Sequence, residues 1–260
     1  MTNEWFPAAG VNKSARFRLF CFPHAGGGAS AFGNWTRLLP ASVEVAGVHL
    51  PGREERLRTA AFSRLDPLLS SLTEALRPYL DLPFAFYGHS LGGWLAFYLA
   101  RRLRRDGLAR PVHIFVAASR APQLESKHPP IHALSPDLFL QELGRRYNNV
   151  PAAVRNDPEL LSLLLPALRA DFELMESIQY HHEVPLDCPI SAYGGQWDPM
   201  ISQAEVSAWD AQTSASFSVE MMPGDHFFVK SQAPAFLDRL YGKIGPYLDR
   251  TRSAEHAARL

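Results

Sequence analysis

Cysteine is almost absent from this chain of 260 residues, which carries only Cys21 and Cys188. Each falls in or beside a stretch that reads as a β-strand. Both are read as small buried hydrophobes, not as a disulfide or a metal site. Net charge is also missing: 26 basic side chains balance 26 acidic ones, so no basic surplus points to nucleic acid or an anionic membrane. No apolar run approaches the ~18 residues of a membrane-spanning helix. Arg16 and Arg18 before Leu19–Phe22 loosely mimic a signal peptide, but Pro23 and His24 cut the apolar block short. The protein is therefore expected in the cytoplasm. There are no internal repeats and no low-complexity tract. No Cys/His cluster has metal-ligand spacing, and His181-His182 read as neighbours diverging on a helix, so no metal is expected.

What is present is an ordinary globular composition, 47% hydrophobic, in a length that suits one large α/β domain. Strand and helix patterns alternate. Phe17 to Phe22, Val43 to Leu50, Phe84 to Tyr87, Val112 to Ala118, Ile190 to Tyr193 and Phe217 to Met222 read as strands. Helices are predicted through Trp35 and Leu39, from an Asp66-Pro67 cap to about Leu80, after Ser90, near Ala204 to Trp209, and from about Ala233 to Leu248. Thr251 to Leu260 reads as a polar, frayed tail. This alternation predicts a mostly parallel sheet with helices on both faces. Between Ser119 and Asp187 it breaks. Ser135-Pro136 and Asp157-Pro158 are helix starts, and Leu160, Leu161, Leu164, Leu165 and Leu168 repeat at helical spacing. The chain is thus read as a single domain over 1–260, with a helical insertion at about 120–187 lying as a lid over the strand ends.

Gly88-His89-Ser90-Leu91-Gly92, followed by Gly93, places a serine between an apolar strand and a helix. That is the context of a nucleophile elbow, a tight turn that pushes the hydroxyl outward. A serine hydroxyl needs a base, and a base needs an orienting acid. On such a sheet the partners follow in the order Ser, acid, His. His226 alone among the histidines lies in the loop after the final strand, in Pro223-Gly224-Asp225-His226-Phe227-Phe228. Asp198 is the one carboxylate of Gly194-Gly195-Gln196-Trp197-Asp198-Pro199, the loop after the preceding strand. Asp225 is nearer in sequence but adjacent side chains point apart. An oxyanion needs two N–H donors. One is expected at Leu91 and the other in the loop His24-Ala25-Gly26-Gly27-Gly28.

Together these residues resemble the type II thioesterases that accompany polyketide and nonribosomal peptide synthases. The landmarks are Phe20-Cys21-Phe22-Pro23-His24-Ala25-Gly26-Gly27, Leu50-Pro51-Gly52-Arg53-Glu54, the Ser90 elbow, Leu168-Arg169-Ala170-Asp171-Phe172 and His226-Phe227-Phe228. They span about Phe17 to Leu248. The resemblance implies an α/β-hydrolase fold and a stand-alone editing enzyme that removes stalled or aberrant acyl groups from the phosphopantetheine arm of acyl or peptidyl carrier proteins, without a cofactor of its own. It implies a triad of Ser90, Asp198 and His226 and oxyanion donors at Ala25 and Leu91. The family often has glycine where Asp225 stands, and this extra carboxylate is expected to raise the His226 pKa. Lid residues, with Phe172, Met175, Phe227 and Phe228, are expected to form the acyl chamber. Arg101, Arg102, Arg104 and Arg105 lie too far along their helix to meet a carrier at the site and read as charges complementing the helix dipole. Arg53, Arg56 and Arg58 stand nearer the mouth and are the candidates for carrier docking. A general carboxylesterase or lipase, a chain-terminating thioesterase of fatty acid synthesis, and a catalytically dead binding protein are the competing readings.

Overall fold

Six apolar segments are long enough for one strand each, and the central ones are too continuous in apolar character to leave a face in water. They form β1 (Phe17–Phe22), β2 (Val43–Gly47), β3 (Phe84–His89), β4 (His113–Ala117), β5 (Ile190–Gly195) and β6 (Phe217–Met222) in a computed structural model that describes residues 3–147 and 157–257. Every residue of β1, β3, β4 and β5 is buried. The strand order is β2-β1-β3-β4-β5-β6 and each neighbouring pair is parallel. The described sheet is thus wholly parallel. The chain leaves β1 to one side for β2 and returns on the other side as β3, which puts the topological switch between β1 and β3. Ligand sites of open α/β sheets lie at such a point, beyond the strand C-termini.

Eight helices accompany the described sheet: α1 (Trp35–Leu38), α2 (Leu65–Leu76), α3 (Leu91–Arg105), α4 (Pro136–Tyr147), α5 (Pro158–Ser177), α6 (Gln203–Ser207), α7 (Phe228–Ser231) and α8 (Ala233–Ala257). The period-2 alternation of β1 divides the core. Phe20 and Phe22 face α2 and α3, packing with Leu72 and Leu95. Leu19 and Cys21 face α1 and α8, packing with Trp35 and Phe236. Cys21 and Cys188 are free thiols, both buried. No described helix is long and apolar enough to cross a membrane.

Three boundaries differ from expectation for physical reasons. α2 starts at Leu65 with Arg64 at its N-cap, so Asp66 sits inside the first turn, where its charge meets the helix dipole, and does not cap. α8 continues to Ala257 through residues expected to fray, and 258–260 lie outside the described residues. The arginines at the end of α3 do more than complement a dipole. Arg101, only 1% exposed, donates to the His181 carbonyl at 2.9 Å, and Arg104 pairs with Glu183 at 3.0 Å. They strap the chain returning from α5 onto α3. In that strap His181 and His182 are non-helical.

The stretch between β4 and β5 holds α4 and α5 and no described strand. Asp157 caps α5, accepting from the Glu159 and Leu160 N–H groups at 3.0 Å each. Ile131, Phe139, Leu143 and Phe172 give this insertion a small core of its own.

Candidate active site

Ser90 follows β3 directly, at φ 53° and ψ −114°. A side-chain-bearing residue there is strained by on the order of 1–3 kcal/mol. Packing over-determines it: Ser90 N–H donates to the Ala117 carbonyl at 2.8 Å, and Gly93 N–H to the Ser90 carbonyl at 2.9 Å. The flanking glycines are required by close backbone approach. A Cβ on Gly88 would lie 2.0 Å from the Gly92 oxygen, and one on Gly92 would lie 2.1 Å from the Phe22 oxygen.

The loops after β5 and β6 bring Asp198 and His226 together. His226 Nδ1 stands 2.8 Å from Asp198 Oδ2, with side-chain exposures of 3% and 0%. The other carboxylate oxygen accepts from the Met200 and Ile201 N–H groups at 2.8 and 3.2 Å. Both oxygens of a fully buried carboxylate are therefore committed, and the ring's Nε2 is the nitrogen left for a reacting group. Ser90 and His226 line the same cavities. No hydrogen bond joins them in this resting arrangement; such bonds often tighten only when substrate binds. Asp225 turns its carboxylate to the Phe227 N–H at 2.8 Å, away from the imidazole.

Aromatic rings surround His226. Tyr147, at the end of α4, lies edge-on at 5.1 Å between centroids, with Phe227 at 5.2 Å and His89 at 5.6 Å. Burial, reinforced by His226 and His24, pushes the His89 pKa well below its ordinary value. His24 is lowered as well, chiefly by burial. Both shifts favour the neutral imidazole beside His226.

The loop after β1 is held from outside. Asp171, on α5, accepts from Gly26 N–H at 2.7 Å and pairs in bidentate fashion with Arg53 at 2.7 and 2.8 Å. Arg53 also donates to the Gly27 carbonyl at 3.2 Å. Glu54 takes the N–H groups of Ala29 and Ser30 at 2.9 and 3.1 Å. Gly27 N–H donates to the His24 carbonyl at 2.9 Å, whereas Ala25 N–H is among the loop's N–H groups that make no hydrogen bond among the described residues. Leu91, as the first residue of α3, has an N–H without a partner inside the helix. Arg53 and Arg56, weighed as carrier contacts, are 5% and 8% exposed and occupied within the chain, whereas Arg58 is exposed.

Two cavities open on Ser90. One, of 320 Å³, runs beneath the insertion and is walled by leucines of α4 and α5 with Phe172, Met175 and Phe227. Phe228 does not join them. Neighbouring side chains diverge at the start of α7, and Phe228 is buried against Phe236 on the opposite side of the sheet. The other cavity, of 280 Å³, sets charged side chains among apolar ones such as Trp94, Met175 and Ile201. His49, Glu54 and Glu55 form the one described trio with ligand atoms within 4.8 Å of one another. Its Glu54 is already the acceptor for Ala29 and Ser30. Sequence reasoning missed His24, His89, Tyr147 and the Arg53–Asp171 pair. His24 and His89 stood inside quoted motifs without a role, and Arg53 and Asp171 stood in two landmarks whose partnership across 118 residues has no local signature.

Residues 17–244 match the Thioesterase domain family. The chain is 44% identical over 227 residues to the gramicidin S biosynthesis protein GrsT of Aneurinibacillus migulanus, covering 87% of this chain and 88% of that one. Among solved structures it is similar to the RedJ thioesterase of the prodiginine biosynthetic pathway in Streptomyces coelicolor, at TM-score 0.78 and 35% identity over 90% of this chain and 87% of that one. It is similar also to the type II thioesterase BorB from the borrelidin biosynthetic cluster, at TM-score 0.79 and 30% identity over 93% and 97%. The chain therefore belongs to the thioesterase domain family, in its type II group, and is a thioester hydrolase on an α/β-hydrolase fold.

Proposed function

We propose that this protein is an editing enzyme that hydrolyses acyl thioesters on the phosphopantetheine arm of carrier proteins in polyketide or nonribosomal peptide synthesis, through a Ser90–His226–Asp198 triad. The observation that carries the reading is the 2.8 Å contact of His226 with Asp198 at a cavity shared with the strained Ser90. Relatives named for gramicidin S, prodiginine and borrelidin biosynthesis support the synthase setting.

In this reading His226 Nε2 takes the Ser90 proton as Oγ attacks the thioester carbonyl. The carbonyl π pair moves onto oxygen, where the Leu91 and Ala25 N–H groups receive it. The C–S bond then breaks and sulfur leaves with the proton from His226. A thiol of pKa ~8.5 is a far better leaving group than an alcohol, so this half needs little acid assistance. Water attacks the acyl-serine as His226 takes its proton, the acid departs, and Ser90 is reprotonated. Asp198 stays ionised and fixes the tautomer. These side chains and water account for every proton, so no step calls on a cofactor. The α4–α5 insertion acts as a lid, with the acyl chain lying in the leucine-lined cavity.

The test compares wild type and Ser90→Ala on an acyl-loaded carrier protein and on the matching free oxyester, with fluorophosphonate labelling of the serine. Wild type should clear the carrier in preference and label at Ser90; the variant should do neither. Oxyester cleavage as fast as carrier cleavage would favour a general esterase. Release of one medium-length acid from an elongating synthase would favour a chain terminator, and turnover by Ser90→Ala would remove Ser90 from the chemistry.

A further inference from the structure

The two cavities that meet at Ser90 differ in chemistry. Leucines wall one of them. Arg120, Lys127, Arg146, Glu176 and Glu205 line the other. Most of these charges are already satisfied. Glu176 accepts from Ile131 and His132, and Glu205 accepts from Ser202 and pairs with Lys127 at 3.2 Å. Arg146 pairs with Glu142 and donates to the Pro129 carbonyl. Arg120 is the exception. It makes no ion pair among the described residues, and its Nη1 is buried without a hydrogen-bond partner. A buried donor in that state is costly unless something supplies an acceptor.

Arg120 is nonetheless held in place. Its guanidinium carbon lies 5.1 Å from the centre of the Trp94 ring, and Trp94 Nε1 donates to the Arg120 carbonyl at 2.6 Å. Its loop follows β4 directly, and the Ala117 carbonyl at the end of β4 is the one that holds the Ser90 N–H. Burial pulls the guanidinium pKa down, although Glu205 opposes this.

We infer that the charge-lined cavity receives the pantetheine arm and that Arg120 donates to the arm's inner amide carbonyl. This rests on the thioesterase reading and divides the site in two: acyl chain under the leucines, arm over Arg120. The arm's inner half is uncharged and carries amide groups, which a leucine wall cannot satisfy and a fixed guanidinium can. Reach decides which part of the arm is met. At standard bond lengths the inner amide oxygen lies about 5 Å from the sulfur and the phosphate more than ~15 Å away. A cavity of 280 Å³, taken as a sphere, is roughly 8 Å across, so the phosphate lies outside it and the inner amide inside.

The experiment presents one acyl group, hexanoyl, as its 4′-phosphopantetheine thioester and as its p-nitrophenyl ester, which has no arm. For Arg120→Gln the ratio of the two kcat/KM values should fall about tenfold, mostly through the KM of the thioester, the loss expected when a charged hydrogen bond is removed. An unchanged ratio overturns the inference. So does a loss that appears only when hexanoyl is replaced by an acyl chain ending in a carboxylate, because Arg120 would then serve the acyl end. If Arg120→Gln does not accumulate as folded protein, Arg120→Lys keeps the charge over Trp94, and there the same ratio should fall less steeply; no fall overturns the inference. Failure of wild type to cleave the thioester at all would instead refute the thioesterase reading.

Discussion

Removing the carboxylate of Asp171 should damage stability and rate by separable amounts. Asp171 and Arg53 have side-chain exposures of 5% and 6% and bond at 2.7 and 2.8 Å. Asp171→Ala leaves a buried guanidinium unpaired, which costs about 3–5 kcal/mol. For a chain of this size that lowers Tm by roughly 6–20 °C. The same change frees Gly26 N–H from its 2.7 Å acceptor and releases the loop that, in the proposed mechanism, offers Ala25 N–H to the oxyanion. Loss of one oxyanion donor slows turnover by about 10²–10³-fold, so displacement of the donor should cost up to about 10²-fold in kcat, with KM little changed. Asp171→Asn separates the two effects. Its remaining oxygen can still accept from Gly26, but its amide N–H confronts the Arg53 donors, so it should lose most of the stability and keep more of the rate. Thermal melts followed by circular dichroism, with kcat and KM on an aryl ester below the melting range, give both numbers. A wild-type kcat in folded Asp171→Ala would refute the link between α5 and the oxyanion loop, and an unshifted Tm would refute the weight given to the ion pair.

Asp198→Asn should lower kcat by about 10⁴-fold with the fold intact, because the amide cannot hold the productive imidazole tautomer; a near-normal rate by stopped assay would place the acid elsewhere. His113, 5% exposed and held down to about 4 by burial with help from Lys243, binds its proton far more readily in the unfolded chain. Its contribution to stability is therefore complete above the unfolded pKa of ~6.5, is lost as pH falls from there towards 4, and is on the order of 3 kcal/mol. Urea melts across that window should show a shallower pH slope for His113→Gln, and an identical slope would contradict the assignment. Leu164→Trp, which adds bulk inside the 320 Å³ cavity, should shift turnover towards shorter acyl chains in a chain-length series; an unchanged optimum would return α5 to a packing role.

The central strands were readable because both faces of this sheet are covered there, so they appear as mostly apolar runs. Phe17–Phe22 and Phe217–Met222 come out residue for residue as expected. Helix starts were harder. Proline is tolerated anywhere in a first turn, so Pro67 could not fix where α2 begins. The site divided along similar lines. Ser90, Asp198 and His226 follow from chain order on a parallel sheet, since each loop after a strand opens on the same edge. Side-chain direction did not follow: Phe227 and Phe228 are adjacent and alike, yet one lines the cavity and the other fills the core. Burial of a charge was equally hidden. Arg53 looks like a surface cation until α5 supplies Asp171 from far along the chain.

The two cysteines bear on an enzyme that handles sulfur esters. Cys21 is buried in β1 with its pKa well above the ordinary thiol value, and burial pushes Cys188 up to about 12. A thiolate near the reacting carbonyl would compete with Ser90 by trans-thioesterification, or trap a departing pantetheine as a mixed disulfide, since only the ionised form attacks. Here both sulfurs are protonated and inaccessible. In the proposed mechanism no thiolate then competes with Ser90 for the acyl group, and a maleimide-reactive cysteine introduced on the surface would carry a label without competition from the native pair.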